Sequence, residues 1–395
     1  MRETAMDSKA AARERIDERR DRLIEISHRI HAHPELGWEE ERAAGWLAEM
    51  LDAAGFAVET GICDIPTAFV ARAGSGPLHV AICAEYDALP GIGHACGHNL
   101  IAAMSVGAGM AAARMADDVG LTISVIGTPA EEVGDAGGKI LLLERGAFAD
   151  AHAAMMVHPS GDERADPAYI AASRFDVSYT GRAAHAAAFP EHGINAADAL
   201  VVAQTAIGLL RQHIRSTDRI HGIVTKGGDA PNIVPADASA TYMVRAETLE
   251  QLGEIQTRVR RCFEAGALAT GAALRIVGGE RPYAQMAPDP DIAAIYRRNA
   301  EACGRVFPSA DRPQRGMAST DMGNVSLALP AIHPRIGINP GTATNHQPEF
   351  TAHCITADAD QAIVDGAIAM AWTAIDLALD TGVRERLLAR GGAVR

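Results

Sequence analysis

The sequence predicts an α/β protein with a mostly parallel central sheet flanked by helices, interrupted by a smaller ferredoxin-like α+β domain. Three observations predict it. At 395 residues the chain exceeds what one hydrophobic core ordinarily serves, so two domains are expected. Strand and helix signals alternate from residue 68 to residue 157, the mark of a layered, largely parallel sheet. Between residues 173 and 283 the order becomes strand–helix–strand–strand–helix–strand, that of a ferredoxin-like sandwich. The expected division is residues 1–172 and 284–395 for the main domain and 173–283 for the insert.

Each element has a local reason. Ile16, Leu23, Ile26 and Ile30 fall on one face of a helix over 8–31, with arginines and acids elsewhere. His31 and His33, in HAHPELG, sit at its end before Pro34, where an imidazole beside the last carbonyls is ordinary. They read as structural. A second helix over 38–54 is ended by Gly55. Strands follow at 68–71 and 78–83, a helix at 101–115, a strand at 121–126, a helix at 138–145 and a strand at 152–157. In the insert, 174–179 alternates as a half-buried strand. Asn195 opens a helix to about 214, with Asp198 at its third position. Strands at 220–225 and 239–245, a helix at 249–267 and a strand at 273–277 complete the insert. A helix over 292–304, a strand over 332–338 and a closing helix over 358–379 return to the main domain. GIGHACG has the wrong spacing for a dinucleotide fingerprint, so no such site is expected.

The totals exclude several function classes. A net charge of −14 leaves no basic stripe for phosphates, so neither nucleic acid nor an anionic membrane is an expected partner. The six cysteines are scattered without a CxxC pair, a reduced pattern. The first twenty residues are too charged for a signal peptide, and a cytoplasmic location is expected. Residues 88–113 carry no Lys, Arg, Asp or Glu, yet they hold Pro90, Cys96, His94 and His98, which a lipid-facing helix would not.

The chemistry gathers on loops. Residues 84–99 read AEYDALPGIGHACGHN, with Cys96 and His98 two apart, on one side of an extended segment. A thiolate and an imidazole on one face suit zinc, cobalt or manganese. The strand at 121–126 runs into GTPAEE, carrying Glu131 and Glu132; that at 152–157 runs into His158; His346 lies in GTATNHQPEF after the strand at 332–338. Ligands collect at the carboxyl ends of strands in open α/β sheets, so these residues would share one edge. Cys96, His98, Glu132, His158 and His346 could hold two ions, and the pair Glu131/Glu132 divides into one base and one ligand. Spacing does not say which is which.

The motifs EYDALPGIGHACGHNL, GTPAEE, GRAAHAA, GGDAPNIVP and STDMGNVS, with the final NH, resemble the metal-dependent aminoacylase/carboxypeptidase superfamily (peptidase family M20). Within it they fall in the amidohydrolase branch with hippurate hydrolase and the indole-acetyl-amino-acid hydrolases, and are most similar to the β-alanyl-lysine and Xaa-Arg dipeptidase subgroup. The resemblance implies a metallo-hydrolase domain with an inserted lid and dimerisation domain. It implies metal ligation by Cys96, His98, Glu132, His158 and His346, and Glu131 as general base. Asp87 matches an acidic residue that orients a ligand. His185 matches a histidine that stabilises the oxyanion, often from the partner subunit. Asn232 and Arg245 match positions near the substrate's carboxylate or carbonyl. Where many amidohydrolase relatives have Asp after CGH, this chain has Asn99, as the dipeptidase subgroup does. NHQPEF around His346 is closer to the general amidohydrolase pattern.

The expected activity is hydrolysis of the amide of a dipeptide or N-acyl amino acid by a homodimer using two divalent ions. Zinc or manganese leads, with cobalt and nickel as further candidates. Two alternatives stay open at this point: hydrolysis of a non-peptide amide, carbamoyl or aromatic amine substrate, because fold does not fix substrate, and a metal-binding protein without catalysis.

Overall fold

In the computed structural model, which describes residues 2–308 and 318–390, the N-terminal apolar stripe is helix α1 (Arg2–Ala32). Ile16, Leu23, Ile26 and Ile30 are all buried. His33 gives Nδ1 to the Arg29 carbonyl at 2.8 Å, the place expected beside the last carbonyls of α1, whereas His31 gives Nε2 to the carbonyl of the distant Thr351 at 2.9 Å. Helix α2 (Glu41–Asp52) starts later than 38, because Trp38 has a φ of 72° and cannot continue a right-handed turn. Strand β1 (Ala57–Thr60) is a short, exposed edge that the sequence barely signals. It pairs antiparallel with β2 (Phe69–Ala73).

Strand β3 (Leu78–Ala84) is buried along almost its whole length. Helix α3 (His98–Ala113) follows, then α4 (Ala116–Val119), β4 (Leu121–Gly127), α5 (Gly138–Glu144), β5 (Ala153–Met155) and β6 (His158–Ser160). Helix α3 is buried on every face, which its alanines and glycines make possible. At Gly109 a Cβ would stand 2.3 Å from Val125 Cγ2, so the helix lies closer to β4 than any side chain would allow.

The insert has its own core. Strands β7 (Ala171–Thr180), β8 (Arg219–Lys226), β9 (Asp237–Ala246) and β10 (Ala273–Gly278) form an antiparallel sheet in the order β10-β7-β9-β8. Helices α6 (Ala196–Leu210) and α7 (Leu249–Thr270) pack on it, with Phe175, Tyr242 and Phe263 in contact at the centre. Asn195 caps α6 by accepting from the amides of Ala197 and Asp198. The helix stops before 214 because its last turn tightens into a 3₁₀ form over Arg211–His213. The entering and leaving strands are tied by two hydrogen bonds between Ala172 and Tyr283.

The return segment supplies α8 (Pro290–Ala302), α9 (Met322–Ala328), β11 (Ala331–Ile332), β12 (Arg335–Gly337), α10 (Pro348–His353), α11 (Ala357–Leu379) and α12 (Thr381–Ala389). The strand expected over 332–338 is split at His333-Pro334. Proline cannot donate to the ladder, and the chain passes from one sheet to another. The main sheet runs β1-β2-β4-β3-β5-β11, with β4, β3, β5 and β11 parallel and β2 antiparallel to β4. A separate parallel ladder joins β6 to β12. Helix α11 is the one described helix long and apolar enough to cross a membrane, but 83% of its apolar window is buried, and it packs against α1, α3 and α8. It is the core helix.

Candidate metal centre

The chain leaving β3 loops from Glu85 to Gly97 and turns directly into α3. Cys96 and His98 are therefore not neighbours on an extended segment, as their spacing suggested. His98 is the first residue of α3, and Gly97 reverses the chain with a φ of 84°. A Cβ at Gly97 would lie 2.5 Å from Pro159 Cγ, so glycine also lets the His158 segment close on Cys96. The two side chains converge through a turn instead of a pleat.

Four loops meet here. Sγ of Cys96 lies 3.3 Å from Nε2 of His158, and Nε2 of His346 lies 3.3 Å from Oε1 of Glu132. Ligand atoms of Cys96, His98 and His158 form one converging group; those of Cys96, Glu132 and His346 form another; His98 also converges with Glu131 and Glu132. His158 donates Nδ1–H to the Pro159 carbonyl at 2.8 Å, leaving Nε2 with its lone pair toward Cys96. Burial, then the neighbouring His98, pushes its pKa down to about 3, so it is a neutral imidazole. His98 faces Asp87 through Nδ1 at 2.9 Å, which likewise aims Nε2 inward.

The surroundings call for positive charge. Burial, with Glu132 and then Glu131, lifts the Cys96 thiol well above its ordinary range, so a bound cation is what would hold it as thiolate. Burial opposes charge on His98, but Asp87, Cys96 and Glu85 outweigh it and raise its pKa. Burial, followed by Glu85, Glu132 and Asp321, pushes Glu131 well above the usual carboxylate range. Nε2 of His98 and Oε1 of Glu132 are buried without a hydrogen-bond partner. Two orphaned buried polar atoms beside a thiol and two further imidazoles fit divalent metal ions.

A supporting layer fixes these groups. Asp87 takes the His98 proton on one oxygen and the backbone N–H of Glu132 on the other, at 2.9 Å, joining two loops. Asn345 donates to the carbonyls of Cys96 and Pro159, which anchors a loop where His346 sits at a φ of 70°. Ala130, also left-handed at 56°, gives its N–H to Oε1 of Glu40 at 2.8 Å. Burial first, and Asp87 second, raise the Glu40 pKa to about 7. The folded protein thus holds this proton more tightly than the unfolded chain, and stability falls as pH climbs from the ordinary Glu value toward 7. Glu40→Gln keeps an acceptor for Ala130 and removes the charge. Thermal melts from pH 5 to pH 8 should then decline less steeply, by at most about 3 kcal/mol at pH 8. Equal slopes for the two proteins would refute this.

Sequence reasoning missed a buried ammonium. Lys139 of α5 is fully buried, bonded through Nζ to Oε1 of Glu85 and, at 2.6 Å, to Oδ1 of Asp321. Its only signal was one charge inside the apolar run GGKILLLE. Tyr283 was missed too; its hydroxyl donates to the Glu131 carbonyl and accepts from the Gly134 amide. His333 stacks beside His158 and Tyr169, with ring centroids 5.5 and 4.8 Å away.

His185, Asn232 and Arg245 are the insert's three candidates. His185 is exposed and accepts through Nδ1 from the amides of Ala187 and Ala188; among the described residues it joins no group of converging ligand atoms. Asn232 is exposed, its carbonyl bound to the Ala186 amide. Arg245 donates to Ser319 Oγ at 2.8 Å; burial lowers its pKa while the charge of Glu131 opposes the change.

The model for Peptidase family M20/M25/M40 matches residues 81–367. The Xaa-Arg dipeptidase of Mus musculus is 39% identical over 397 residues, covering 95% of this chain and 91% of that protein. A p-aminobenzoyl-glutamate hydrolase of Escherichia coli (strain K12) is 34% identical over 276 residues, 65% of this chain and 57% of that one. Among solved structures, an aminobenzoyl-glutamate utilization protein from Klebsiella pneumoniae superposes with a TM-score of 0.72 at 21% identity, covering 91% of this chain and 97% of that one. A dinuclear metal binding peptidase from Bacillus subtilis gives 0.66 at 22% identity, over 91% and 99%. At those identities the structures attest the fold. The family match runs through all of the loops that meet at the centre, and with it the chain belongs to peptidase family M20/M25/M40, as a metal-dependent hydrolase.

Proposed function

We propose that the protein hydrolyses the amide bond of a dipeptide or an N-acyl amino acid, with Glu131 as general base and then general acid. The observation that carries this reading is the convergence of Glu131 with His98 and Glu132 beside two ligand groups that share Cys96. Cys96, His98, Glu132, His158 and His346 would hold two divalent ions, which when bound lower the pKa of a water and polarise a carbonyl. Glu131 takes the proton of the attacking water and returns it to the departing amine. Its raised proton affinity suits both roles. Asp87 keeps His98 in the tautomer that offers Nε2. Arg245 and Asn232 orient the substrate's carboxylate or carbonyl. His185 stabilises the oxyanion once the insert, acting as a lid, closes or a second copy of the chain presents it.

A homodimer through the insert is supported by β8, an edge strand that leaves Ile223 and Val224 67% and 47% exposed. The likeness to an Xaa-Arg dipeptidase favours dipeptides ending in a basic residue, and the likeness to a p-aminobenzoyl-glutamate hydrolase keeps N-aroyl amino acids in view.

The test is ion content on the purified protein, with hydrolysis of dipeptides and N-acyl amino acids before and after chelation. Close to two ions per chain and chelator-sensitive release of an amino acid are expected. Ions present with every such amide untouched would sink the substrate assignment, and no ion after reconstitution would sink the ligand set.

A further inference from the structure

We propose that Glu85 is an additional metal ligand, a carboxylate bound to the ion at His98 and held in place by Lys139. The inference rests on the metal centre of the proposed function and adds a residue to it.

Glu85 is completely buried, and its two oxygens have different surroundings. Oε1 is bonded to the Lys139 ammonium. Oε2 has no hydrogen-bond partner and stands 3.5 Å from Nε2 of His98, which also has none. With Nδ1 of His98 engaged by Asp87, Nε2 is the atom aimed at Glu85. Two buried polar atoms that face each other without a hydrogen-bond partner favour a positive charge between them. The separation is what a shared ion produces: two ligands about 2.1 Å from one ion at a tetrahedral angle are about 3.4 Å apart. Oε2 of Glu85 thus has the burial, the orientation and the spacing of a ligand atom.

The lysine explains how an extra anion is tolerated there. Glu85, Glu131 and Asp321 bring carboxylate oxygens within 4.8 Å of one another, a grouping that by itself would suit a further cation. That cation is already supplied, because Nζ of Lys139 bridges Glu85 and Asp321. Lys139 is itself fixed by its backbone N–H, which donates to Oδ2 of Asp321 at 2.9 Å. A Cβ at Gly137 would lie 2.7 Å from the same oxygen, so the approach of α5 to Asp321 depends on glycine. The ammonium neutralises the Glu85 charge and orients its carboxylate with one oxygen free. Asp321 completes the ammonium's shell and has no oxygen near Nε2 of His98 among the ion-pair distances in which His98 takes part.

The experiment compares full-length parent, Glu85→Gln and Asp321→Asn proteins, each stripped of metal and titrated with Zn²⁺ and with Co²⁺. The readouts are ions per chain, affinity by chelator competition, and the Co²⁺ absorption spectrum, which reports coordination number and donor type. Glu85→Gln should weaken one of the two ions by more than about tenfold and alter the Co²⁺ spectrum, whereas Asp321→Asn changes neither comparably. Unchanged affinity and spectrum in folded Glu85→Gln overturn the proposal. Equal losses in both variants overturn it too, since they would report disturbance of the ammonium alone. If Glu85→Gln does not fold, Glu85→Asp keeps the charge on Lys139 but withdraws the oxygens by one methylene, and the same loss is expected. A parent that binds no ion would instead defeat the metal centre itself.

Discussion

Glu131→Gln is expected to lower kcat by a factor of roughly 10²–10⁴ while the ion content stays that of the parent. The amide is nearly isosteric with the carboxyl, and the loop that carries it is held by groups the substitution leaves alone. The Tyr283 hydroxyl binds the backbone carbonyl of residue 131, Asp87 binds the Glu132 amide, and Glu40 binds the Ala130 amide. The lost function is proton transfer. A glutamine cannot take a proton from water or give one to a departing amine. Because that role is confined to the transition state, kcat and kcat/KM should fall together, with KM little changed. Ion analysis and steady-state kinetics on the same preparation decide it. Retained turnover would remove Glu131 from the mechanism; a normal kcat with a raised KM would make it a binding residue.

Lys139→Met should cost about 3–5 kcal/mol of stability. The ammonium is fully buried between two carboxylates that are fully buried too. Burial works against its charge, and Asp321, Glu85 and Glu131 outweigh that and raise its pKa. Methionine fills the space without replacing the charge, leaving Glu85 and Asp321 as uncompensated anions. These carboxyls would then bind protons more tightly in the folded than in the unfolded state. The deficit should therefore grow as pH rises and shrink as pH falls and they protonate. The three tryptophans, at 38, 46 and 372, all lie outside residues 173–283, so their fluorescence follows unfolding of the domain that holds Lys139. A urea midpoint within about 1 kcal/mol of the parent, taken at pH 8, would contradict the argument.

What could be read in the chain beforehand follows from how local each signal is. Alternating strands and helices, the Pro/Gly-rich loop after β3 and the Asn195 cap depend on a few neighbouring residues, and all of them appear in the fold. The cluster of Cys96, His98, Glu131, Glu132, His158 and His346 was legible for a related reason. Each follows a strand in sequence, and a parallel sheet brings those carboxyl ends to one edge. Short elements such as β1, α9 and α10 were not legible, because so few residues carry no period, and their existence depends on partners distant in sequence.

By itself, then, the sequence determined the α/β class, the ferredoxin-like order of the insert and the residue types that converge at the candidate metal centre, because patterning and strand order act over short distances. Only the tertiary structure decided that Gly97 brings Cys96 and His98 together through a left-handed turn, and that Asp87 divides its oxygens between His98 and the Glu132 amide. It alone decided that Lys139 stands between Glu85 and Asp321, residues 54 and 182 positions away in the chain. A buried charge is stable only beside its counter-charges, and no local pattern announces a partner that folding alone brings near.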